Sequence, residues 1–383
     1  MSTIFLDVSR LLSRLYDGQL PTGVDRVGLA YIQRYGSDAR AVLSERGFLR
    51  VLTEKDTKRV FSWLMSSAHD RHEIRSLVAR SLLSRFDSTH TGRGVLLHTS
   101  HNGMEYPRYY RTLRQRQIRT VFMVHDLIPI THPEYCRPGV GDTHRRRIHT
   151  ALRHADGLIA NSRFTLDSLS DEARRADLPL PPNVIAHLAP GIHAHSDSPS
   201  PLQTPYFVMV GTIEPRKNHW FIMHVWRRLV ELHGSAAPKL VVIGRRGWEC
   251  ENVVDMLERC DTLRGTVIEA SDCCDETLQT WITHARALVF PSFVEGYGMP
   301  LIEALDAGVP VLASNLDVFR EIADDLPDYL DPLDGPGWLA RIDAYTQSDS
   351  PARAAQLDRI RAFRAPTWSN HFARVDAFLA GLA

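Results

Sequence analysis

The chain has 383 residues, 44% of them hydrophobic and 23% charged, which excludes an extended disordered polypeptide and leaves room for two globular domains, each with its own core. No run of about 18 or more apolar residues occurs, and the opening "MSTIFLDVSRLL" lacks the basic segment, apolar stretch and cleavage site of a secretory signal, so the expected location is the cytoplasm. Net charge is zero over the whole chain, yet residues 1–190 carry 28 basic against 19 acidic side chains and residues 191–383 carry 17 against 26.

The basic excess is densest in "YPRYYRTLRQRQIRT" (106–120) and "HRRRIHTALRH" (144–154). Two readings stand: a solvated surface, or contact with an anionic lipid surface or a phosphate-bearing acceptor. Nucleic acid is not expected, because no binding motif accompanies the charge. Cys136, Cys250, Cys260, Cys273 and Cys274 are odd in number and lack C-x-x-C spacing, which fits reduced thiols rather than disulfides or a zinc site. The adjacent Cys273 and Cys274 receive no role.

Along the chain, "LPTGVDRVGLAY" (20–31) sets Gly23 ahead of Arg26 and a predicted helix, a weak phosphate-loop signal by itself. "GVLLH" (94–98), "TVFMVH" (120–125) and "GLIANS" (157–162) read as buried parallel strands. A stretch rich in Pro, Ser and Gly, "APGIHAHSDSPSPLQTP" (189–205), reads as a linker. Beyond it come the predicted strands "YFVMVG" (206–211), "KLVVIG" (239–244), "ALVFPS" (287–292) and "VPVLAS" (309–314), with Ile222, Val225, Trp226, Leu229 and Leu232 at helical spacing between the first two. Two sets of βαβ units predict two doubly wound α/β domains, and ligands of such sheets bind beyond the carboxyl ends of the strands. The expected division is an N-terminal domain over 1–190, a linker over 191–205, a C-terminal domain over 206–365 and a last helix over 366–383.

Two strand-turn-helix junctions are built for anions. After "YFVMVG" the chain reads Thr212, Ile213, Glu214, Pro215, Arg216, Lys217, Asn218 and then a helix, so two cations stand where the helix dipole is positive. An anion such as a diphosphate in front of them would explain the placement, and side chains spread into solvent would explain it equally. In "PSFVEGYGMPLIEALDAGVPVLAS" (291–314), Gly296 and Gly298 allow close backbone approach and Pro300 suits a first helical turn. N–H groups of Gly298, Met299 and Leu301 would face a phosphate, and Glu303 projects about 200° from the packed Leu301 face.

"GTIEPRKN" (211–218) followed by "PSFVEGYGMPLIEALDAGVPVLAS" closely resembles the signature of retaining glycosyltransferase family 4, and "VHDLIPITHPEY" (124–135), "ADGLIANSRFT" (155–165), "GRRGWE" (244–249) and "PTWSNHF" (366–372) look like further family elements in the expected order. The resemblance implies the GT-B fold, two Rossmann-like domains facing a central cleft with the C-terminal helix crossing back to the N-terminal domain. It implies catalytic roles for Arg216, Lys217, Glu295 and His125: the two cations on the diphosphate, Glu295 on the donor sugar, and His125 near the reacting carbon, unless that ring merely bonds backbone. It implies donor binding by Gly23, Arg26, Gly211, Gly244, Gly296, Tyr297, Gly298, Met299 and Leu301, with Glu303 holding the ribose hydroxyls. Asp126 would orient the His125 ring or cap the next segment, Asn161 and Ser162 match a nearby loop, and Phe319 and Glu321 lie toward the nucleotide or on an ordinary helix surface.

The implied reaction moves a hexose from a nucleoside diphosphate sugar to a saccharide or lipid-diphosphate-linked acceptor, with retention and without metal or other cofactor. No D-x-D string occurs. "VHDLIPITHPEY", "GRRGWE" and the overall layout resemble the bacterial mannosyltransferase branch that builds surface polysaccharide, which puts GDP-mannose ahead of UDP-glucose, UDP-N-acetylglucosamine and dTDP-rhamnose and implies a cytoplasmic protein with peripheral contact at the inner membrane face. An epimerase or hydrolase on the same fold and a non-catalytic nucleotide-sugar-binding subunit are the competing expectations.

Overall fold

The computed structural model describes residues 3–66, 70–83, 93–192 and 196–382. They form two compact units: one from Met1–Thr131, Pro138–Leu188 and Trp368–Ala383, the other from His132–Arg137 and Ala189–Thr367. The chain changes unit between Leu188 and Ala189, and the short stretch His132–Arg137 belongs with the second unit although it lies early in the sequence.

The first unit is built on seven strands, β1 (Thr3–Asp7), β2 (Arg40–Glu45), β3 (Phe48–Val51), β4 (Gly94–His98), β5 (Ile118–Val124), β6 (Gly157–Ala160) and β7 (Asn183–Ile185), in the order β3-β2-β1-β4-β5-β6-β7. All neighbours are parallel except β2 and β3, a hairpin turned by Arg46 and Gly47. β4 lies between β1 and β5 and all five of its residues are buried, as its continuous apolar run predicts. Phe5, Leu96, Phe122, Tyr109 and Tyr110 share one core cluster.

The C-terminal helix, Trp368–Leu382, completes this unit. Phe372 sets its ring edge-on against Tyr31 and Tyr35, and Val375 is fully buried. Polar pins flank that contact: His371 bonds the Tyr31 hydroxyl at 3.0 Å and the His187 carbonyl at 3.1 Å, and Asp376 accepts from Tyr35 at 2.7 Å and Arg34 at 2.6 Å. Gly157, at the start of β6, leaves the space that the Phe378 ring fills.

The second unit carries six strands, β8 (Tyr206–Val210), β9 (Lys239–Ile243), β10 (Val267–Ala270), β11 (Leu288–Phe290), β12 (Val311–Ser314) and β13 (Asp328–Leu330), all parallel in the order β10-β9-β8-β11-β12-β13. This is the dinucleotide-fold order, and its direction reverses between β8 and β11. The helix His219–His233 buries Ile222, Val225, Trp226 and Leu229, four of the five residues that the 3.6-residue spacing picks out, and Met223 besides. Leu232, counted in that stripe from sequence, is 51% exposed, because the helix has rotated past the sheet by its last turn. No helix among the described residues is long and apolar enough to cross a membrane.

Candidate active site

The two loops that leave β8 and β11 start side by side at the point where the strand order reverses, so a ligand beyond the carboxyl ends would meet both. Gly211 ends β8, and the backbone then rises beside the loop after β9. There Gly244 passes so close that a Cβ on it would lie 2.1 Å from the Gly211 carbonyl oxygen. One tight turn, Pro215–Lys217, follows, closed by Lys217 N–H to the Glu214 carbonyl at 3.1 Å and Asn218 N–H to Pro215 at 3.1 Å. Asn218 is left-handed (φ 63°), and its side-chain amide donates to the carbonyls of Pro291 and Pro332 at 3.2 and 2.9 Å, which ties together the loops after β8, β11 and β13.

The turn aims Arg216 and Lys217 at Glu295. Lys217 Nζ lies 2.5 Å from Glu295 Oε1, Arg216 Nη1 lies 2.7 Å from Oε2, and the Ser292 hydroxyl donates to Oε1 at 2.7 Å. Glu214 closes the cluster with an ion pair to Arg216 Nε at 2.6 Å. Backbone bonds hold the same geometry: Phe293 N–H donates to the Arg216 carbonyl at 2.8 Å, and Arg216 Nη1 donates to the Val294 carbonyl at 3.2 Å. Burial by itself would raise the Glu295 carboxyl, but Arg216 and Lys217 outweigh it and hold it down at about 2. Burial lowers the Lys217 ammonium while Glu295 pulls it back toward the charged form. The cluster is thus a buried and a half-buried cation neutralised by carboxylates, a charge arrangement a diphosphate could take over.

After Glu295 the chain turns through Gly296, Tyr297 and Gly298 into the helix Met299–Asp306. Gly298 has φ 121°, and a Cβ there would sit 2.8 Å from the Phe319 ring. The N–H groups of Gly298 and Met299 donate to no group among the described residues, whereas Leu301 N–H donates to the Gly298 carbonyl at 3.0 Å. Leu301 is therefore not a free donor as its position suggested; the helix closes its first turn one residue earlier. Glu303, expected to leave the packed face, is only 3% exposed, and Gly191 N–H donates to its Oε1 at 3.0 Å. Phe319 is fully buried and stacked on Phe290, 4.9 Å between centroids, so it is neither a nucleotide contact nor a helix-surface residue.

The remaining expected residues lie in the first unit. His125 follows β5; its Nε2 bonds the Thr99 carbonyl at 2.8 Å, and burial lowers its pKa, so it is a neutral ring anchored to backbone with Nδ1 facing no protein partner among the described residues. Asn161 donates to the His125 carbonyl at 2.9 Å, and Ser162 caps the helix Arg163–Arg175 by accepting from Thr165 N–H at 3.0 Å. Asp126 accepts from Ile128 N–H at 3.0 Å, which is the capping alternative and not the ring-orienting one. Gly23 opens the helix Gly23–Tyr35, whose start is fixed by a capping box between Thr22 and Asp25, with Asp25 paired to Arg10 at 2.9 Å and Arg14 at 2.7 Å. Arg26 follows in that first turn.

Residues 193–328 match the family model described as glycosyl transferases group 1. Among curated relatives, the O-antigen chain mannosyltransferase B of Escherichia coli is 30% identical over 274 residues, which cover 69% of this chain and 70% of that protein. The chain belongs to the group 1 glycosyl transferases, family 4. The serotype-specific mannosyltransferase WbdA of Escherichia coli is 27% identical over 243 residues, 59% of this chain but only 30% of WbdA, so this group 1 chain spans about a third of that relative. Among solved structures, Anabaena HepE in complex with UDP and glucose superposes with a TM-score of 0.71 over 100% of both chains at 14% identity, and a trehalose-6-phosphate synthase does so at 0.60 and 11% over 100% of this chain and 99% of that one. The fold is GT-B.

Three features of this glycosyl transferase site were not picked out from sequence. Glu214 and Ser292 complete the ion cluster; the signal was a carboxylate two residues before Arg216 and a hydroxyl three before Glu295. The segment His132–Arg137 supplies Tyr135, whose ring lies flat on Phe293 (5.6 Å, 4° between planes) and whose carbonyl accepts from Trp248 Nε1 at 2.9 Å. No local pattern announces that contact.

Proposed function

We propose that this group 1 glycosyl transferase moves a hexose from a nucleoside diphosphate sugar to an acceptor hydroxyl with retention of anomeric configuration, mannose from GDP-mannose being the first candidate. The observation that supports it most is the Glu295–Arg216–Lys217 cluster at the reversal point of the second sheet. The donor's diphosphate would draw Arg216 and Lys217 onto its oxygens and accept hydrogen bonds from the Gly298 and Met299 amides. That frees the Glu295 carboxylate to accept from sugar hydroxyls. Glu303 would hold the ribose hydroxyls, and Gly23, Arg26, Gly211, Gly244, Gly296 and Tyr297 would shape the donor pocket, with Leu301 contributing packing rather than a donor amide.

As the anomeric carbon–phosphate oxygen bond breaks, negative charge grows on the diphosphate, and the two cations stabilise it more than they stabilise bound donor. The acceptor oxygen forms the new bond on the same face and its proton passes to the departing phosphate oxygen, so no side-chain base is required. For His125, neutral and anchored by Thr99, the family likeness is what supports a role at the donor sugar. With two cations in place we expect activity to persist in excess chelator.

The preference for mannose rests on relatives described as O-antigen mannosyltransferases; the basic first half supports a phosphate-bearing acceptor and peripheral contact with an anionic membrane. The test is thermal stabilisation by GDP, UDP, dTDP and their sugars, followed by product analysis with the stabilising donor. A ligand at 100 times its Kd contributes about 2.7 kcal/mol of apparent stability. Stabilisation by none of them would end this reading, and free hexose without a glycosylated product would make the protein a hydrolase.

A further inference from the structure

Beyond the carboxyl ends of β1 and β2 the first unit carries an open cavity of about 450 Å³, of a size that holds small organic ligands. Leu12, Leu43 and Ile74 form its buried apolar wall, and Tyr16 and Phe48, 37% and 56% exposed, also line it. The hydroxyls of Ser9 and Ser44 reach it, but both already donate to Asp7, at 2.7 and 2.8 Å. A saccharide would need polar partners that this wall does not offer. A hydrocarbon would not.

The rim is cationic. Arg50 and Arg75 line the cavity, and the Arg108 guanidinium, from the basic stretch 106–120, lies 3.5 Å from the centre of the Phe48 ring. One carboxylate, Glu45, shares the lining; it is exposed and lies 3.6 Å from Arg46. In a parallel sheet the space beyond the strand ends is where ligand is expected, and here that space joins an apolar wall to arginines. We propose that this cavity takes the hydrocarbon chain of a lipid-linked acceptor, with the lipid's phosphate against Arg50 and Arg75. The inference rests on reading the first unit as the acceptor-binding half, and it assigns the class of acceptor.

Calorimetric titration with octyl phosphate and decyl phosphate below their micelle concentrations, with decanol and inorganic phosphate as the separated halves, tests it. Decyl phosphate should bind roughly tenfold tighter than octyl phosphate, because each buried methylene adds to the affinity, and inorganic phosphate should not compete. Ala79→Trp, at an exposed helix position lining the cavity, should weaken decyl phosphate by about tenfold through lost room for the chain and leave nucleotide stabilisation unchanged. Arg75→Ala should weaken decyl phosphate but not decanol. Binding without chain-length dependence, or binding unaffected by Ala79→Trp, overturns the proposal. So does dimerisation that Ala79→Trp abolishes without any alkyl phosphate binding, which would make the occupant a second copy of the chain. If nucleotides fail to stabilise the protein, the donor reading fails; if they succeed and alkyl phosphates do not bind, only this inference does.

Discussion

Glu295 answers to two cations and a hydroxyl at once, and its protonation should be felt as stability. Its carboxyl sits at about 2 against an ordinary 4.5, so the folded protein binds its proton later than the unfolded chain. The resulting stabilisation is fully present above about pH 4.5 and disappears as pH falls through 2; a shift of that size in a buried group is worth about 3 kcal/mol. Urea unfolding should therefore show Glu295→Gln destabilised at pH 7, with the gap to wild type shrinking by more than half at pH 3; a gap constant with pH would mean the cations do not hold this carboxylate. Lys217→Ala should act on turnover: removing one charge that meets the leaving diphosphate costs about a hundredfold or more in kcat, with nucleotide affinity falling less. Steady-state kinetics and nucleotide titration check the two numbers separately. Arg216, Lys217, Glu295 and Glu303 were legible in the sequence as residue types at telling positions. That Glu295 pairs with Arg216 and Lys217 was not, since 79 and 78 residues separate them and only the adjacency of β8 and β11 brings them together.

At the scale of elements, the turn that carries the donor-facing amides depends on Gly298 in a way that can be separated from ordinary glycine effects. Gly298 and Gly308 both have positive φ, 121° and 71°, but only Gly298 has an aromatic ring where a Cβ would go; around Gly308 nothing lies within 4 Å. Gly308→Ala should cost about 1 kcal/mol, the price of a left-handed residue at a helix end. Gly298→Ala adds the clash with Phe319 and should cost about 2 to 4 kcal/mol, with weaker nucleotide binding besides. Equal losses in denaturant unfolding would show that the Phe319 ring yields freely. Legibility of elements followed burial. β4, β5, β6, β8, β9, β11 and β12 are apolar runs and were found. β1 was missed although its last three residues are buried, and so were the hairpin β2–β3 and the strands β7, β10 and β13: the last three span three or four residues of intermediate burial each, held by the strand beside them rather than by a pattern of their own.

For the whole molecule, the change of unit falls between Leu188 and Ala189, where the Pro- and Ser-rich stretch 189–205 begins. The return of the last helix is different in kind. "PTWSNHF" carries no periodicity that says which unit it joins, and only the family likeness suggested the answer; physically it is decided by Tyr31, Tyr35 and Gly157, hundreds of residues upstream, which leave a slot for Phe372 and Phe378. The same holds for His132–Arg137, whose membership of the second unit depends on Phe293 and Trp248. Because the last helix is packed entirely within the first unit, damage to it should be confined there. Phe372→Ala removes a ring that is 6% exposed and contacts Tyr31 and Tyr35, a loss of about 3 to 5 kcal/mol by the usual cost of such a cavity. Nucleotide affinity, measured at 15 °C where the variant stays folded, should remain within about twofold of wild type, since the donor-binding residues of the second unit keep all their partners and Gly23 and Arg26 lie at the opposite end of their helix from Tyr31 and Tyr35. A large loss of nucleotide affinity with folding intact would show instead that the last helix governs the ion cluster around Glu295.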